Sequence, residues 1–394
     1  MQNIQTRPPI RGRLFLAALL LAALPFMATP TRAAEPAKSI AAQLQPFVDS
    51  HTLAGAVTLV ASKEKVLTLE AVGFADIAAR KSMKTDALFW IASQSKPITG
   101  TALMMLVDEG RVNVDDPVEK YLPEFKGQML GVPQEKDQVL LKRPARPITV
   151  KDVLSHTSGI PFTSRIEPKI DLHPLSVAAI SYALTPLKFE AGSKYDYSNA
   201  GINTAGRIIE VVSGMPYEEF LDKRLFKPLG MKDTTFWPTE KQLQRLAKSY
   251  QPNADKTGLE ETPIGQLTYP LTDRKRGPSP AGGYFSTATD MALFCRMVLN
   301  GGALDGKRYL SEAAVKQMTS TQTGDLPQTY GFGWSTDRKP GGPFGHGGAY
   351  STNMRVDPER QLVTIFMVQH AGWPNDGGSK VFPTFMKAAE TLGK

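Results

Sequence analysis

Strand-like runs lie at the two ends of this chain, and helix-like runs fill the space between them. Ala56 to Ala61 and Val66 to Val72 are short, apolar and rich in β-branched residues, and the polar Ser62-Lys63-Glu64-Lys65 between them reads as a hairpin turn. Tyr330 to Trp334, Thr352 to Val356 and Leu362 to Val368 repeat the pattern near the other end, the last two joined by Asp357-Pro358-Glu359-Arg360. Helical spacing marks Ile40 to Ser50, Thr99 to Glu109 with Gly110 as its stop, Val150 to Leu154, Gly201 to Ser213, Tyr217 to Phe226 and a closing Val381 to Leu392. Lys126 to Pro147 is polar and proline-bearing and reads as an insertion loop. This order predicts an α+β fold, an α/β sandwich. An antiparallel sheet is built from the N- and C-terminal segments with flanking helices, and a mostly helical domain is inserted into it. The expected boundaries are 35–92 and 280–394 for the sheet domain and 93–279 for the helical one. The expected site lies in the cleft between them. At 394 residues and 41% hydrophobic, the chain can fill cores of that size.

The first 34 residues stand apart. Arg7, Arg11 and Arg13 precede an apolar run from Leu14 to Ala28, followed by small and polar residues to Ala34. This is the pattern of a secretory signal with cleavage near Ala33 or Ala34. The run is short for a membrane span, which needs roughly 20 residues, and Pro25 interrupts it. The expectation is an exported protein, periplasmic or secreted, with no stable membrane anchor after cleavage. Half of the formal net charge of +8 comes from the four arginines of this segment, and the remaining basic residues are dispersed, a distribution that offers no footprint for nucleic acid. The five histidines are far apart in sequence with no metal-ligand spacing, so no metal or other cofactor is expected. The single cysteine, Cys295, excludes an internal disulfide and falls in an apolar run, Met291 to Leu299, that reads as a core helix face.

Ser-x-x-Lys occurs as Ser62 to Lys65 and as Ser93 to Lys96. The spacing alone does not separate a nucleophile from a capping serine beside a solvated lysine. Context does. The first match is the hairpin turn, whereas the second opens a helix, because Pro97 is tolerated only in a first turn, where its missing N–H has no partner to lose. Residues three apart share a helix face, so Lys96 lies beside Ser93. The free N–H groups of a helix start favour a developing oxyanion, and a buried lysine in a positive setting loses proton affinity.

Ser93-Gln94-Ser95-Lys96-Pro97-Ile98-Thr99-Gly100 resembles the active-site helix of the serine β-lactamase and penicillin-binding superfamily. It is most similar to the branch holding class C β-lactamases, D-alanyl-D-alanine carboxypeptidases and β-lactamase-like esterases. Tyr197-Ser198-Asn199 matches the second element of that family, and His346-Gly347-Gly348 the third. The resemblance implies that Ser93 is the nucleophile and Lys96 its activator. It implies that Tyr197 shuttles a proton to the leaving group and that Asn199 binds the acyl-side amide. The strand of His346, Gly347 and Gly348 would flank the substrate, with the Ala349 N–H joining that of Ser93 as the oxyanion hole. The flanks Leu154-Ser155-His156-Thr157-Ser158-Gly159, Pro228-Leu229-Gly230-Met231, Ala281-Gly282-Gly283-Tyr284-Phe285-Ser286-Thr287 and Tyr330-Gly331-Phe332-Gly333-Trp334 extend the likeness, which covers roughly Ile40 to Gln369. His156 lies outside the three motifs and reads as structural.

One departure bears on the reaction. His346 stands where class C β-lactamases typically carry lysine, and a mostly neutral imidazole gives a β-lactam carboxylate less to hold. The resemblance therefore implies acyl transfer to water through a Ser93 acyl-enzyme on an ester, a D-amino-acid peptide or a β-lactam. A carboxylesterase-like reading comes first and a D-alanyl-D-alanine carboxypeptidase second. A non-catalytic penicillin- or wall-binding module is the alternative from another class. The oligomeric state is not legible.

Overall fold

The computed structural model describes residues 8–9, 39–134 and 138–393. Apart from Pro8 and Pro9, the signal segment read in residues 1–34 lies outside the described residues. The fold is that of the unit Lys38–Lys394.

The elements that position the site follow in chain order. Helix α1 (Ile40–Asp49) starts at Ser39, whose hydroxyl accepts the Ala42 N–H. Strands β1 (Gly55–Ser62) and β2 (Val66–Asp76) form the expected hairpin, and a short β3 (Lys81–Ser82) extends it. Ser62 Oγ accepts the Glu64 and Lys65 N–H groups in the turn, which disposes of the first Ser-x-x-Lys match. Next come α2 (Ser95–Asp108), the ribbon β4 (Leu130–Pro133) and β5 (Val139–Lys142), α3 (Val150–Leu154), α4 (Leu175–Leu184) and α5 (Asn199–Ser213). Helix α6 (Ala288–Leu299) leads to β6 (Ser335–Thr336), β7 (Phe344–Gly347), β8 (Asn353–Asp357) and β9 (Leu362–Met367), and α7 (Gly378–Glu390) closes the fold.

The main sheet has seven strands in the order β6-β7-β8-β9-β1-β2-β3, every pair antiparallel. The first long strand pairs with the last: Val57 lies opposite Met367 and Ala61 opposite Val363. Side chains alternate across the sheet. Val57, Leu59, Ile365 and Met367 join the larger core with Met291 and Cys295 of α6, while Ala56, Val60 and Phe366 join the smaller one with Leu44 of α1 and Phe385 of α7. Both faces of β1 are thus covered, which is why its sequence reads as a nearly continuous apolar run. The α+β architecture with a sheet built from both chain ends is the expected one, and Cys295 sits in the core as read.

Two local readings need correction. Lys126 to Pro147 is not an irregular loop, because it carries the ribbon β4–β5, with Gly131 opposite Leu141. All four residues of β5 are exposed, so no alternation marks the strand. Tyr330 to Trp334 is not a strand. Its backbone bends and docks on the first turn of α2: a Cβ on Gly333, at φ +79°, would lie 2.4 Å from the Lys96 carbonyl oxygen.

Candidate active site

Three pieces of backbone converge at the start of α2. The first is Ile91 to Ser93. The Ile91 N–H bonds the Tyr284 carbonyl (3.0 Å), and Ala92 adopts φ +46°, unusual for a residue with a side chain. Ser95 Oγ donates to the Ala92 carbonyl (2.6 Å) and fixes the bend. Such a conformation costs of order 1–3 kcal/mol and persists where the surroundings impose it. Here it turns the chain into a single 3-10 turn, Ala92–Gln94, directly ahead of α2. The Ser93 N–H thereby falls in a first turn, where backbone N–H groups have no intrahelical acceptor.

Lys96 is completely buried. Its Nζ lies 3.1 Å from Ser93 Oγ, 2.8 Å from Asn199 Oδ1 and 2.7 Å from the Ala281 carbonyl, and 4.5 Å from the centre of the Tyr197 ring. Burial pushes this amine well below the ordinary lysine range. A neutral amine has two hydrogens and one lone pair. Asn199 Oδ1 and the Ala281 carbonyl can only accept, so they take the two hydrogens and the lone pair is left facing Ser93 Oγ.

The second piece is the loop into α5. Burial raises the Tyr197 phenol above its usual range, and hydrogen bonding to Ser93 opposes that effect in part. Lys96 and Tyr197 are therefore driven in opposite directions by the same dry setting. The amine is suited to take a proton and the phenol to hold one until it is needed. Asn199 is the first residue of α5 and serves here as a partner of Lys96. One turn further, Asn203 Oδ1 accepts the Ala281 N–H (3.0 Å) and holds the carbonyl that Lys96 uses.

The third piece is the end of β7. A Cβ on Gly348 would lie 2.1 Å from Thr352 Oγ1 and 2.6 Å from the Ile91 carbonyl oxygen, so only glycine lets this strand end rest against the nucleophile turn. Gly348 N–H bonds Thr352 O (2.8 Å) and Ser351 N–H bonds Gly348 O (3.0 Å), which leaves Ala349 exposed at the crest. His346 is 7% exposed. Its Nδ1 contacts the Gly347 carbonyl (2.6 Å), which can only accept, so Nδ1 carries the hydrogen and Nε2 accepts from the Tyr330 hydroxyl (2.9 Å). Burial, helped by the nearby Lys96, lowers His346 to about 3. Its ring is neutral, with both nitrogens engaged.

All the residues singled out in the three motifs thus meet around the start of α2. The sequence did not single out Ala92, Asn203, Ala281 or Tyr330 for a part in the site, although Ala281 and Tyr330 lie in flanks that resemble the family. His156 proves to be a buried clamp on the tyrosine loop. Its Nδ1 accepts the Ser198 N–H (3.1 Å), its carbonyl accepts the Asp196 N–H (2.9 Å), and its ring packs 4.4 Å from that of Tyr197. Burial, Lys96 and His346 all disfavour charge on it. Among the described residues, no group of three or more His, Cys, Asp or Glu side chains is placed to hold a metal ion. A cavity of about 740 Å³ between Leu246, Lys248, Ile264 and Tyr269 includes none of these site residues.

The Beta-lactamase family model matches residues 40–381. The chain belongs to the beta-lactamase family. Within the family, Protein Rv1367c of Mycobacterium tuberculosis is 30% identical over 362 residues, covering 84% of this chain and 89% of that protein. A Salmonella typhimurium protein provisionally named a D-alanyl-D-alanine carboxypeptidase is 28% identical over 310 residues, covering 72% of this chain and 69% of its own. Among solved structures, EstCE1, described as a hydrolase with promiscuous acyltransferase activity, superposes with a TM-score of 0.73 at 22% identity, over 89% of this chain and 97% of that one. Simvastatin Synthase (LovD) from Aspergillus terreus gives 0.74 at 19% identity, over 89% and 96%. At such identities these two speak to the fold. The chain is a serine hydrolase of the β-lactamase-like superfamily.

Proposed function

We propose that this beta-lactamase family member is an exported, carboxylesterase-like hydrolase that works through an acyl-enzyme on Ser93. The observation that carries the reading is the seat of Lys96, whose two fixed acceptors leave its lone pair for Ser93. Lys96 takes the Ser93 proton as Oγ attacks the carbonyl carbon. The Ser93 and Ala349 N–H groups receive the oxyanion, and Tyr197 protonates the departing alkoxide. Water then attacks the acyl-enzyme, its proton is taken up by the same pair, and the acid leaves as Ser93 is restored.

An ester is favoured over a D-peptide or a β-lactam because the latter two carry a carboxylate, and the neutral His346 offers it no charge. The second reading, a D-alanyl-D-alanine carboxypeptidase, is supported by the name of the Salmonella relative. Export rests on the sequence of residues 1–34.

The test is turnover of a p-nitrophenyl ester, a D-Ala-D-Ala peptide and a chromogenic cephalosporin by wild type and Ser93→Ala. Ester hydrolysis abolished by Ser93→Ala, with an acyl adduct mapped to Ser93, is the expected result. Peptide turnover exceeding ester turnover would shift the assignment to the second reading. Full activity in Ser93→Ala would overturn both.

A further inference from the structure

The exposed apolar residues of this chain are unevenly spread. On β5, Val139, Leu140 and Leu141 are 61%, 53% and 50% exposed. On α4, Val177, Ile180 and Leu184 are exposed as well, and at 100° per residue they fall within about 60° of one another, a single stripe. In the segment between, Phe162, Ile166 and Leu172 are likewise exposed.

These three groups belong to one neighbourhood. A Cβ on Gly131, which faces β5, would touch both the Val139 side chain and Pro186, just past the end of α4. Ser181 of α4 bonds Ser164 of the intervening segment (2.8 Å). Phe162 stacks on Tyr197 with ring centres 6.3 Å apart, so the apolar face begins at the rim of the active site.

The exposed charges that residues 139–188 contribute have one sign. Between residues 139 and 188 the acids are Asp152, Glu167 and Asp171, and all three are buried. Lys142, Arg143, Arg165 and Lys188 are exposed. Just beyond the span, Glu190 and Asp196 are held by Lys142 and Lys188, and among the described residues Arg143 and Arg165 form no ion pair with an acid. Exposed apolar side chains among basic ones fit a bilayer interface with anionic headgroups, where the former enter the acyl boundary and the latter meet the phosphates.

We propose that the face formed by β5, α4 and the segment between them seats this protein peripherally on an anionic lipid surface. Among the described residues no helix is long and apolar enough to cross a membrane, so the contact is one of lying on the surface rather than spanning it. The seat brings the Phe162 rim, and with it Tyr197, next to the lipid headgroups. It does not depend on the reaction proposed above.

The test is co-sedimentation of the unit Lys38–Lys394 with phosphatidylcholine vesicles, with and without one third phosphatidylglycerol. Wild type is expected to pellet with the anionic vesicles and to be released by high salt. Leu140→Glu/Ile180→Glu/Leu184→Glu is expected to lower the partition at least about tenfold, and each of Arg143→Glu and Arg165→Glu about fivefold or more. Hydrolysis of a soluble ester is expected to be unchanged in all of them, which shows that the variants fold. Absence of binding to anionic vesicles overturns the proposal, as does equal binding by the triple variant. So does a concentration-dependent dimer in sedimentation velocity that the triple variant abolishes without any vesicle binding, because the face would then join two copies.

Discussion

Gly347 and Gly348 are neighbours in one motif, but adding a methyl group to each is expected to have opposite consequences. At Gly347 a Cβ would meet Asn353 Nδ2 at 3.6 Å and Thr352 O at 3.7 Å, both ordinary contacts. At Gly348 it would meet Thr352 Oγ1 at 2.1 Å and Ile91 O at 2.6 Å. The threonine side chain can turn away, whereas the Ile91 carbonyl belongs to the backbone two residues ahead of Ser93. Reaching an ordinary contact requires a displacement of about 0.8 Å between the strand end and the nucleophile turn. Those two segments carry the Ala349 and Ser93 N–H groups, so the oxyanion site proposed above would be pulled apart by nearly an ångström. Misplacement of that size costs about 100-fold, and loss of one oxyanion donor about 100- to 1,000-fold in kcat. Gly348→Ala is therefore expected to lower kcat and kcat/KM for a p-nitrophenyl ester together by at least about 100-fold, with KM little changed, because the interaction is made in the transition state. The overpacking is expected to cost about 1–3 kcal/mol in urea unfolding. Gly347→Ala should stay within about threefold of wild type on the same substrate. If both variants were equally impaired, or if Gly348→Ala were fully active, the oxyanion role given to this strand end would be wrong.

Other expectations follow from the same geometry. Lys96 takes a proton only when neutral and burial lowers its pKa, so kcat/KM should hold at high pH and fall as pH drops through that lowered value; Lys96→Arg, charged at every accessible pH, should lose at least about 100- to 10,000-fold, and a pH profile without an acid limb would count against Lys96 as the base. The Arg276–Asp171 pair, 2.7 Å apart and almost fully buried, pins residues 268–277 against residue 171; Arg276→Met should cost about 3–5 kcal/mol in denaturant unfolding, and Arg276→Met/Asp171→Leu should recover part of it. His156→Phe leaves the Ser198 N–H without its acceptor, at about 1–3 kcal/mol of stability, and should lower kcat more than His156→Asn, which keeps an acceptor in reach; equal kcat in the two variants would remove His156 as a positioning residue for Tyr197.

The sheet was legible because β1 and β9 are buried on both faces and therefore appear as unbroken apolar runs flanked by turn residues. The start of α2 was legible from Pro97, which has few permitted positions. The ribbon β4–β5 was not, since a strand exposed on both faces lacks the alternation that reveals one. Tyr330 to Trp334 looked like a strand on composition, but Gly333 serves contact with the α2 turn and Gly331 contact with the Met318 carbonyl. Within the site, the motif residues were readable because their spacing is local. Ala281 acts through a contact with Lys96, Tyr330 through one with His346 and Asn203 through one with Ala281, and only the assembled fold creates them. Ala281 contributes through its carbonyl, a group every residue has, so no side-chain pattern could have marked its role. The sequence did suggest that His346 is mostly uncharged, but not that both its nitrogens are occupied.

The pairing of β1 with β9 has a consequence for how this molecule is made. Val57 waits for Met367, some three hundred residues later in synthesis, before the central ladder of the sheet can form. Contacts of such long range carry a large loop-closure cost and form late. A nascent chain that has not yet released its last strand cannot complete the sheet, and the strand end that rests against the Ser93 turn stays unanchored until then. The chain must therefore be made as far as β9 before a competent nucleophile exists. Truncation from the C-terminal end should abolish activity as soon as it reaches β9, however much of the motif sequence remains.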